Sequence, residues 1–107
     1  MKTYTGHRTE NGCRVVVSAG CACRGLDPRF DLRNHSPAGF EWGYGGSGPA
    51  QLALALAADV LGDDEAALGV YQPLKARLVG RLPAEGWTLT EGELAEVLRS
   101  LREADGG

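Results

Sequence analysis

The most apolar run of the chain extends from Pro49 to Leu61 and reads PAQLALALAADVL. Its leucines are not confined to one helical stripe, and alanines fill most of the positions between them. A helix that is apolar on all sides is usually buried. Proline suits the first helical position because the N–H that it lacks would be unpaired there, and Gly62 suits the C-cap. The run therefore predicts a helix over 49–61 at the centre of the core.

The residues before this helix predict β structure. Two β-favouring runs, Thr3–Arg8 and Arg14–Ser18, flank the turn signal at 10–12, where Asn-Gly supplies the positive φ values of a tight hairpin. Cys21–Arg24 is predicted to return as a third strand. Aromatic residues alternate with Glu and Gly over Phe40–Tyr44, and this period-two pattern predicts a further strand.

The residues after the central helix predict two more helices. Asp63 or Asp64 can cap a second helix, which Pro73 should interrupt or kink. Residues 87–89 are predicted to be extended. Thr90 and Glu93 have the spacing of a capping box, which predicts the start of a last helix.

Together these elements predict a single α+β domain over residues 1–104, followed by a frayed tail at 105–107. A small, mainly antiparallel sheet is expected from the N-terminal hairpin and the strand at Phe40–Tyr44. It should pack against about three helices. The edges of such a short sheet can pair with a second copy, so a homodimer is an open alternative.

Composition and charge argue against several classes of protein. The formal net charge is −3 at pH 7, and the basic residues are scattered, which argues against general nucleic-acid binding. We expect no secretory signal, because the first residues lack an apolar run, and no membrane span, because residues 50–61 are too few. Three cysteines without a secretory context favour reduced thiols in the cytoplasm.

A glycine-rich loop, Gly45-Gly46-Ser47-Gly48, enters the central helix. Free N–H groups and the helix dipole at such a junction can hold a phosphate or nucleotide. No lysine follows the glycines as it would in a Walker A loop. The loop therefore predicts either a small anionic ligand at Gly45–Pro49 or a purely structural turn.

Polar residues precede the glycine-rich loop. They are Asp31, Arg33, Asn34, His35, Ser36 and Glu41. His35 can serve as a general base that Glu41 or Asp31 orients, and Ser36 can serve as a nucleophile, which is the arrangement of a small hydrolase or nuclease. The structural alternative is a loop in which Asn34 and Ser36 bond to their own backbone.

The cysteines offer a possible metal site. Cys13, Cys21 and Cys23, with His7 as a fourth ligand, can in principle bind zinc. Cys-x-Cys is not the usual zinc-knuckle spacing, although Cys21 and Cys23 would share one face of a strand. The alternative is that the cysteines are small buried hydrophobes. We therefore predict no metal and no cofactor.

Residues 33–53 read RNHSPAGFEWGYGGSGPAQLA. This phrase resembles the signature RNHSPxGFEWGYGGSGPAQLALA of an uncharacterised domain family of bacteria, archaea and their viruses. The resemblance begins at residues 4–8 and extends through 86–90, so it covers most of the chain. It implies that the whole chain is the domain and that its origin is a phage or mobile element. The family has no known activity, so the resemblance transfers no catalytic residue, and the cysteines are not part of it.

The function predicted from these observations is that of a small, non-enzymatic interaction protein that binds through the loop Asn34–Ser47. The candidate contact residues are Arg33, Asn34, His35, Glu41, Trp42, Tyr44, Gly46 and Ser47. The expected partner is a protein, and by analogy alone the function could be inhibition of a host defence system. The alternatives are a phosphate binder at Gly45–Pro49 and a hydrolase that uses His35 and Glu41.

Overall fold

A computed structural model describes the backbone of residues 2–37 and 39–106, with side chains as far as Glu103. It confirms an α+β fold with an antiparallel sheet and three helices. The elements are β1 (Lys2–Thr9), β2 (Gly12–Ala19), β3 (Ala22–Gly25), α1 (Ser47–Leu61), α2 (Asp64–Arg77), a 3-10 turn (Val79–Arg81), β4 (Gly86–Thr90) and α3 (Glu91–Gly106).

The sheet has the strand order β3-β2-β1-β4, and all its pairs are antiparallel. The predicted hairpin is confirmed, with Tyr4 opposite Val17 and Gly6 opposite Val15. These residues lie on one face of the sheet, where Tyr4, Val15 and Val17 are buried. The sheet packs into the core through this face.

The strand predicted at Phe40–Tyr44 is wrong. Residues 39–46 contain no strand, and the fourth strand is β4, which pairs with β1 through Gly6 and Trp87. Gly43 breaks the extended conformation with φ 87°, and its N–H donates to Val79 O at 3.1 Å. This segment therefore bonds to the 3-10 turn, and the alternating aromatics do not share the face of a sheet.

Helix α1 forms the centre of the core, as predicted. It starts at Ser47, two residues before Pro49, and every residue from Gly48 to Ala58 is buried. Gly62 ends the helix in the left-handed conformation with φ 64°, and its N–H donates to Ala58 O. Each fully buried leucine contributes about 1.5–3 kcal/mol, so this helix supplies much of the driving force for folding.

The other two helices begin with the predicted caps. The Asp63 side chain accepts from Ala66 N at 3.1 Å. Thr90 and Glu93 form the reciprocal capping box, with bonds of 2.9 and 3.1 Å. Helix α2 continues through Pro73 as one element. The tail predicted at 105–107 includes Gly107, which lies outside the described residues, and fraying there stays a prediction.

Asp59 connects α1 to the sheet. Its carboxylate accepts from Tyr4 Oη at 2.6 Å, Lys2 Nζ at 3.0 Å and Arg24 Nη2 at 2.8 Å. Burial alone would raise the pKa of Asp59, but the hydrogen bonds from these three donors outweigh it and the pKa is lowered. Burial and the same bond raise the pKa of Tyr4. The charged form of Asp59 is therefore the form that stabilises the fold.

We predict that Asp59→Asn lowers the free energy of unfolding at neutral pH by about 1.5–3 kcal/mol, the usual contribution of a charged hydrogen bond. A carboxyl whose pKa is lowered by folding stabilises above its unfolded pKa, and this stabilisation is lost as the pH falls through the folded value. The difference between wild type and variant should therefore shrink below about pH 4. Urea unfolding from pH 7 downward measures it.

Glu85→Gln is the control for this prediction, since Glu85 is exposed in the turn before β4. It should change stability by less than about 0.5 kcal/mol. A difference between Asp59→Asn and wild type that stays constant with pH would show that the network acts through packing and not through charge.

Candidate functional site

Gln51 organises the loop that precedes α1. Its side chain is fully buried, and its Nε2 donates to Pro28 O at 2.6 Å and to Arg33 O at 3.0 Å. Its Oε1 accepts from the backbone N–H groups of His35 and Ser36, at 2.8 and 3.3 Å. A primary amide has two donor and two acceptor positions, and these four hydrogen bonds fill all of them. The loop 28–36 is thus fixed to the central helix although it has no regular secondary structure.

This role of Gln51 was not predicted from the sequence. The available signal was one polar residue within an otherwise apolar helical run, because a buried amide must be hydrogen-bonded. The alternative in which the Asn34 and Ser36 side chains bond to the loop's own backbone stays a prediction. Gln51 provides the side-chain contacts to the backbone at 35 and 36.

His35 and Glu41 have separate partners. His35 Nε2 lies 2.8 Å from Tyr71 Oη on α2, and the two rings are 5.5 Å apart. Glu41 instead accepts two hydrogen bonds from Arg8 on β1, at 3.0 and 2.9 Å. The hydrogen bond from Arg8 lowers the pKa of Glu41, although burial opposes it. These hydrogen bonds do not join His35 to Glu41. The orientation of His35 by Glu41 therefore stays a prediction.

The Arg8–Glu41 pair connects the end of β1 to the loop. Arg8 Nε donates to Ala84 O at 2.7 Å, and its guanidinium lies 5.2 Å from the centre of the Trp42 ring. Both charged side chains are about one-third exposed, so the pair itself adds only about 0–1 kcal/mol. The main effect of the pair is therefore to hold the loop, β1 and the turn before β4 together, and not to add stability through its charges.

Trp42 belongs to the core. Its side chain is 1% exposed, and its Nε1 donates to Ala84 O at 3.2 Å. Its ring meets Trp87 edge to face at 5.4 Å, while the Trp87 indole covers Gly6, where a Cβ would clash. Trp42 therefore has almost no surface for a partner, which corrects its inclusion among the candidate contact residues.

Tyr44 lies at the surface, two residues later. Its side chain is 50% exposed. A Cβ built on Gly46 would lie 2.8 Å from the Tyr44 ring, so the ring rests on the backbone at 46. Ser47, Arg33 and Asn34 are also exposed. The loop thus presents one large aromatic side chain together with small and polar neighbours.

Two side chains pack against the backbone at the start of α1. The helix has Gly46 as N-cap without a side-chain hydrogen bond. The Glu41 side chain packs directly on Gly48, where a Cβ would lie 2.5 Å from Glu41 Cβ. Gly48 and Pro49 are buried. The Tyr44 ring and the acidic side chain of Glu41 therefore lie against the backbone of Gly46 and Gly48.

The three cysteines are free thiols. Cys13 is half-buried on β2, and burial raises the pKa of its thiol. Cys21 lies in the turn before β3, while Cys23 lies on that strand, and both are exposed. The expectation that these two are buried hydrophobes on one strand is wrong. Within residues 2–37 and 39–103, no three His, Cys, Asp or Glu side chains are placed to hold a metal ion.

Fold and site together define a small α+β domain in which a hydrogen-bonded loop is fixed to the start of a buried helix. The chain belongs to a family of unknown function, DUF6166, whose sequence model matches residues 4–100. No curated protein and no solved structure matches the chain. In the part of the chain that the structure describes, no helix is long and apolar enough to cross a membrane.

We predict that Gln51→Leu destabilises the protein by at least about 2 kcal/mol, because it removes four part-buried hydrogen bonds and leaves two donors and two acceptors of the loop backbone without these partners. The amides of His35 and Ser36 should exchange with solvent much faster, as measured by hydrogen-exchange NMR. Gln72→Leu is the matched control, because Gln72 is exposed on α2. Unchanged exchange at these two amides would contradict the role given to Gln51.

We also predict that Gly48→Ala lowers stability by about 1–3 kcal/mol, since the new methyl group overlaps Glu41 Cβ. Helix propensity alone would favour alanine by about 1 kcal/mol, so a net loss in urea unfolding identifies the clash. At Gly45, nothing lies within 4 Å of the position of a Cβ. Gly45→Ala should therefore be tolerated, and equal losses from both variants would contradict the argument.

Proposed function

We propose that this protein is a non-enzymatic binding protein that contacts another protein through the loop Asn34–Ser47, with Tyr44 as the anchor. The observation that carries the proposal is the 50% exposure of Tyr44 on a loop whose backbone is fixed. Tyrosine is one of the residues that dominate binding energy at protein interfaces. It offers a large contact area at a low cost in side-chain entropy.

The fixed backbone supports the proposal. Gln51 binds residues 28–36, the Arg8–Glu41 pair holds the middle of the loop, and Gly43 bonds to Val79. A loop that is already ordered loses little conformational entropy when it binds, so more of the contact energy appears as affinity. These three attachments keep Tyr44 in one place on the surface.

Other exposed residues in and beside the loop have the polar character of an interface rim. Arg33, Asn34 and Ser47 are exposed and polar, and Gly46 supports the Tyr44 ring. Interfaces commonly combine a central aromatic residue with a polar rim. His35 and Glu41 would position the loop for the partner through Tyr71 and Arg8, respectively.

The two alternative functions gain less support from the geometry. A phosphate site at Gly45–Pro49 would require Glu41 and Tyr44 to move away from the start of α1. A hydrolase would require His35 and Glu41 to leave Tyr71 and Arg8. A nucleotide-sized mass that co-purifies with the protein in native mass spectrometry would favour the phosphate binder over our proposal.

An inhibitor of a host defence system would be one protein of the proposed class. That idea, like a phage or mobile-element origin, depends on the resemblance of residues 33–53 alone. The identity of the captured partner would test it directly, because a defence protein would be recovered.

We predict that Tyr44→Ser weakens binding to the partner by about 30-fold, which corresponds to a hot spot of about 2 kcal/mol. The protein and its variants are used for affinity purification from cells of the source organism, with quantitative mass spectrometry. Binding of the recovered protein is then measured by calorimetry with purified components.

Phe30→Ser is the matched control, since Phe30 is the other exposed large aromatic among the described side chains, at 40%. It should retain the partner that Tyr44→Ser loses. Equal recovery of the same proteins by wild type and both variants would refute a contact surface centred on Tyr44.

A further inference from the structure

We infer that the partner contacts the Tyr44 surface through an acidic segment, which we expect to bind beside Lys75 and Arg81. This inference depends on the proposed function, because it assigns the chemistry of the partner that the loop binds. The basis for an acidic partner segment is the set of charged residues that the fold places next to the loop.

The helical hairpin brings the end of α2 next to Tyr44. Only residues 62 and 63 separate α1 from α2, and such a short connection makes the helices antiparallel neighbours. A Cβ built on Gly80 would lie 3.2 Å from both Lys75 O and Tyr44 O. Gly43 N also donates to Val79 O. The backbone at 75–82 therefore runs directly beside the proposed contact loop.

The charges at this end of the hairpin are positive. Among the described side chains, neither Lys75 nor Arg81 forms an ion pair. The acidic residue of the adjacent loop, Glu41, is already neutralised by Arg8. The first turn of α1 contains no acidic residue. The exposed Glu85 in the turn before β4 is the other acidic residue close to the loop, so Lys75 and Arg81 leave a net positive charge on this surface.

The acidic residues of the hairpin lie at its other end, where Asp64 and Glu65 occupy the first turn of α2. A basic residue in the last turn of α2, such as Lys75, also complements the helix dipole. That explanation does not apply to Arg81, which lies beyond α2 in the 3-10 turn. Arg77 borders a different surface, the groove between α2 and α3.

Charge complementarity favours a protein segment rich in Asp and Glu. The chain as a whole carries a net charge of −3, which opposes nucleic-acid binding because that requires a broad basic footprint. A compact acidic segment needs only the local positive field, and complementary charges at an interface set partner choice and association rate. The exposed Tyr44 would provide the apolar contact beside these charges.

The test uses peptides selected from a random phage-displayed library against the immobilised protein. We expect the selected peptides to be enriched in Asp and Glu. Their affinity should fall by about tenfold or more in Tyr44→Ser and in the double variant Lys75→Glu/Arg81→Glu. Arg14→Glu is the matched control, because Arg14 is exposed on the open face of the sheet, and its affinity should stay within about twofold.

A second measurement covers the case in which the double variant fails to fold. Binding of the selected peptides to the wild-type protein should weaken by about tenfold between 50 and 500 mM salt, because exposed charges are screened. Affinity that is insensitive to salt would overturn the inference.

The remaining outcomes separate the two proposals. Neutral or basic peptides that depend on Tyr44 would overturn the acidic partner and leave the proposed function intact. Peptides that do not depend on Tyr44 would overturn both. A fluorescent single-stranded oligonucleotide that binds wild type but not Lys75→Glu/Arg81→Glu would replace the acidic segment by a nucleic acid.

Discussion

The buried amide of Gln51 is the constraint on which the candidate site depends. An unpaired polar group in a core is costly, so α1 can contain this residue only while the loop 28–36 supplies its partners. The same bonds place His35 beside Tyr71 and direct the chain toward Glu41 and Arg8. A single polar residue in an apolar helix thus determines the course of a long irregular loop. Stability of the core and shape of the loop are therefore coupled.

Two glycines of the central motif allow close packing. Gly48 lets the Glu41 side chain rest on the start of α1, and Gly43 turns the chain so that its N–H reaches Val79. The result is a loop in which Trp42 enters the core and Tyr44 reaches the surface. Of these two neighbouring aromatic residues, Trp42 is therefore buried and Tyr44 is exposed.

Local signals in the sequence were reliable, and non-local ones were not. The Asn-Gly hairpin, the Asp63 cap, the box of Thr90 and Glu93 and the Gly62 cap were predicted because each depends on residues within a few positions. The strand at Phe40–Tyr44 was wrong, because alternation of aromatics does not reveal which of them face the same side. The pairing of β4 with β1, and the roles of Gln51 and Arg8, depend on partners distant in sequence. In the site, the exposed Tyr44 was among the predicted contacts, whereas the buried Trp42 had to be removed from them.

The pairing of β1 with β4 has a consequence for the order of folding. Gly6 on β1 and Trp87 on β4 are neighbours in the sheet. Strand β1 can therefore pair with β4 only after the residues between them have been synthesised. Until then the β1–β2 hairpin carries one unpaired edge and lacks the Trp87 indole that covers Gly6. Contacts between such distant residues slow folding, and an open edge can pair with other chains. Until β4 has been synthesised, the free edge of β1 is therefore a place where the nascent protein can pair with other chains.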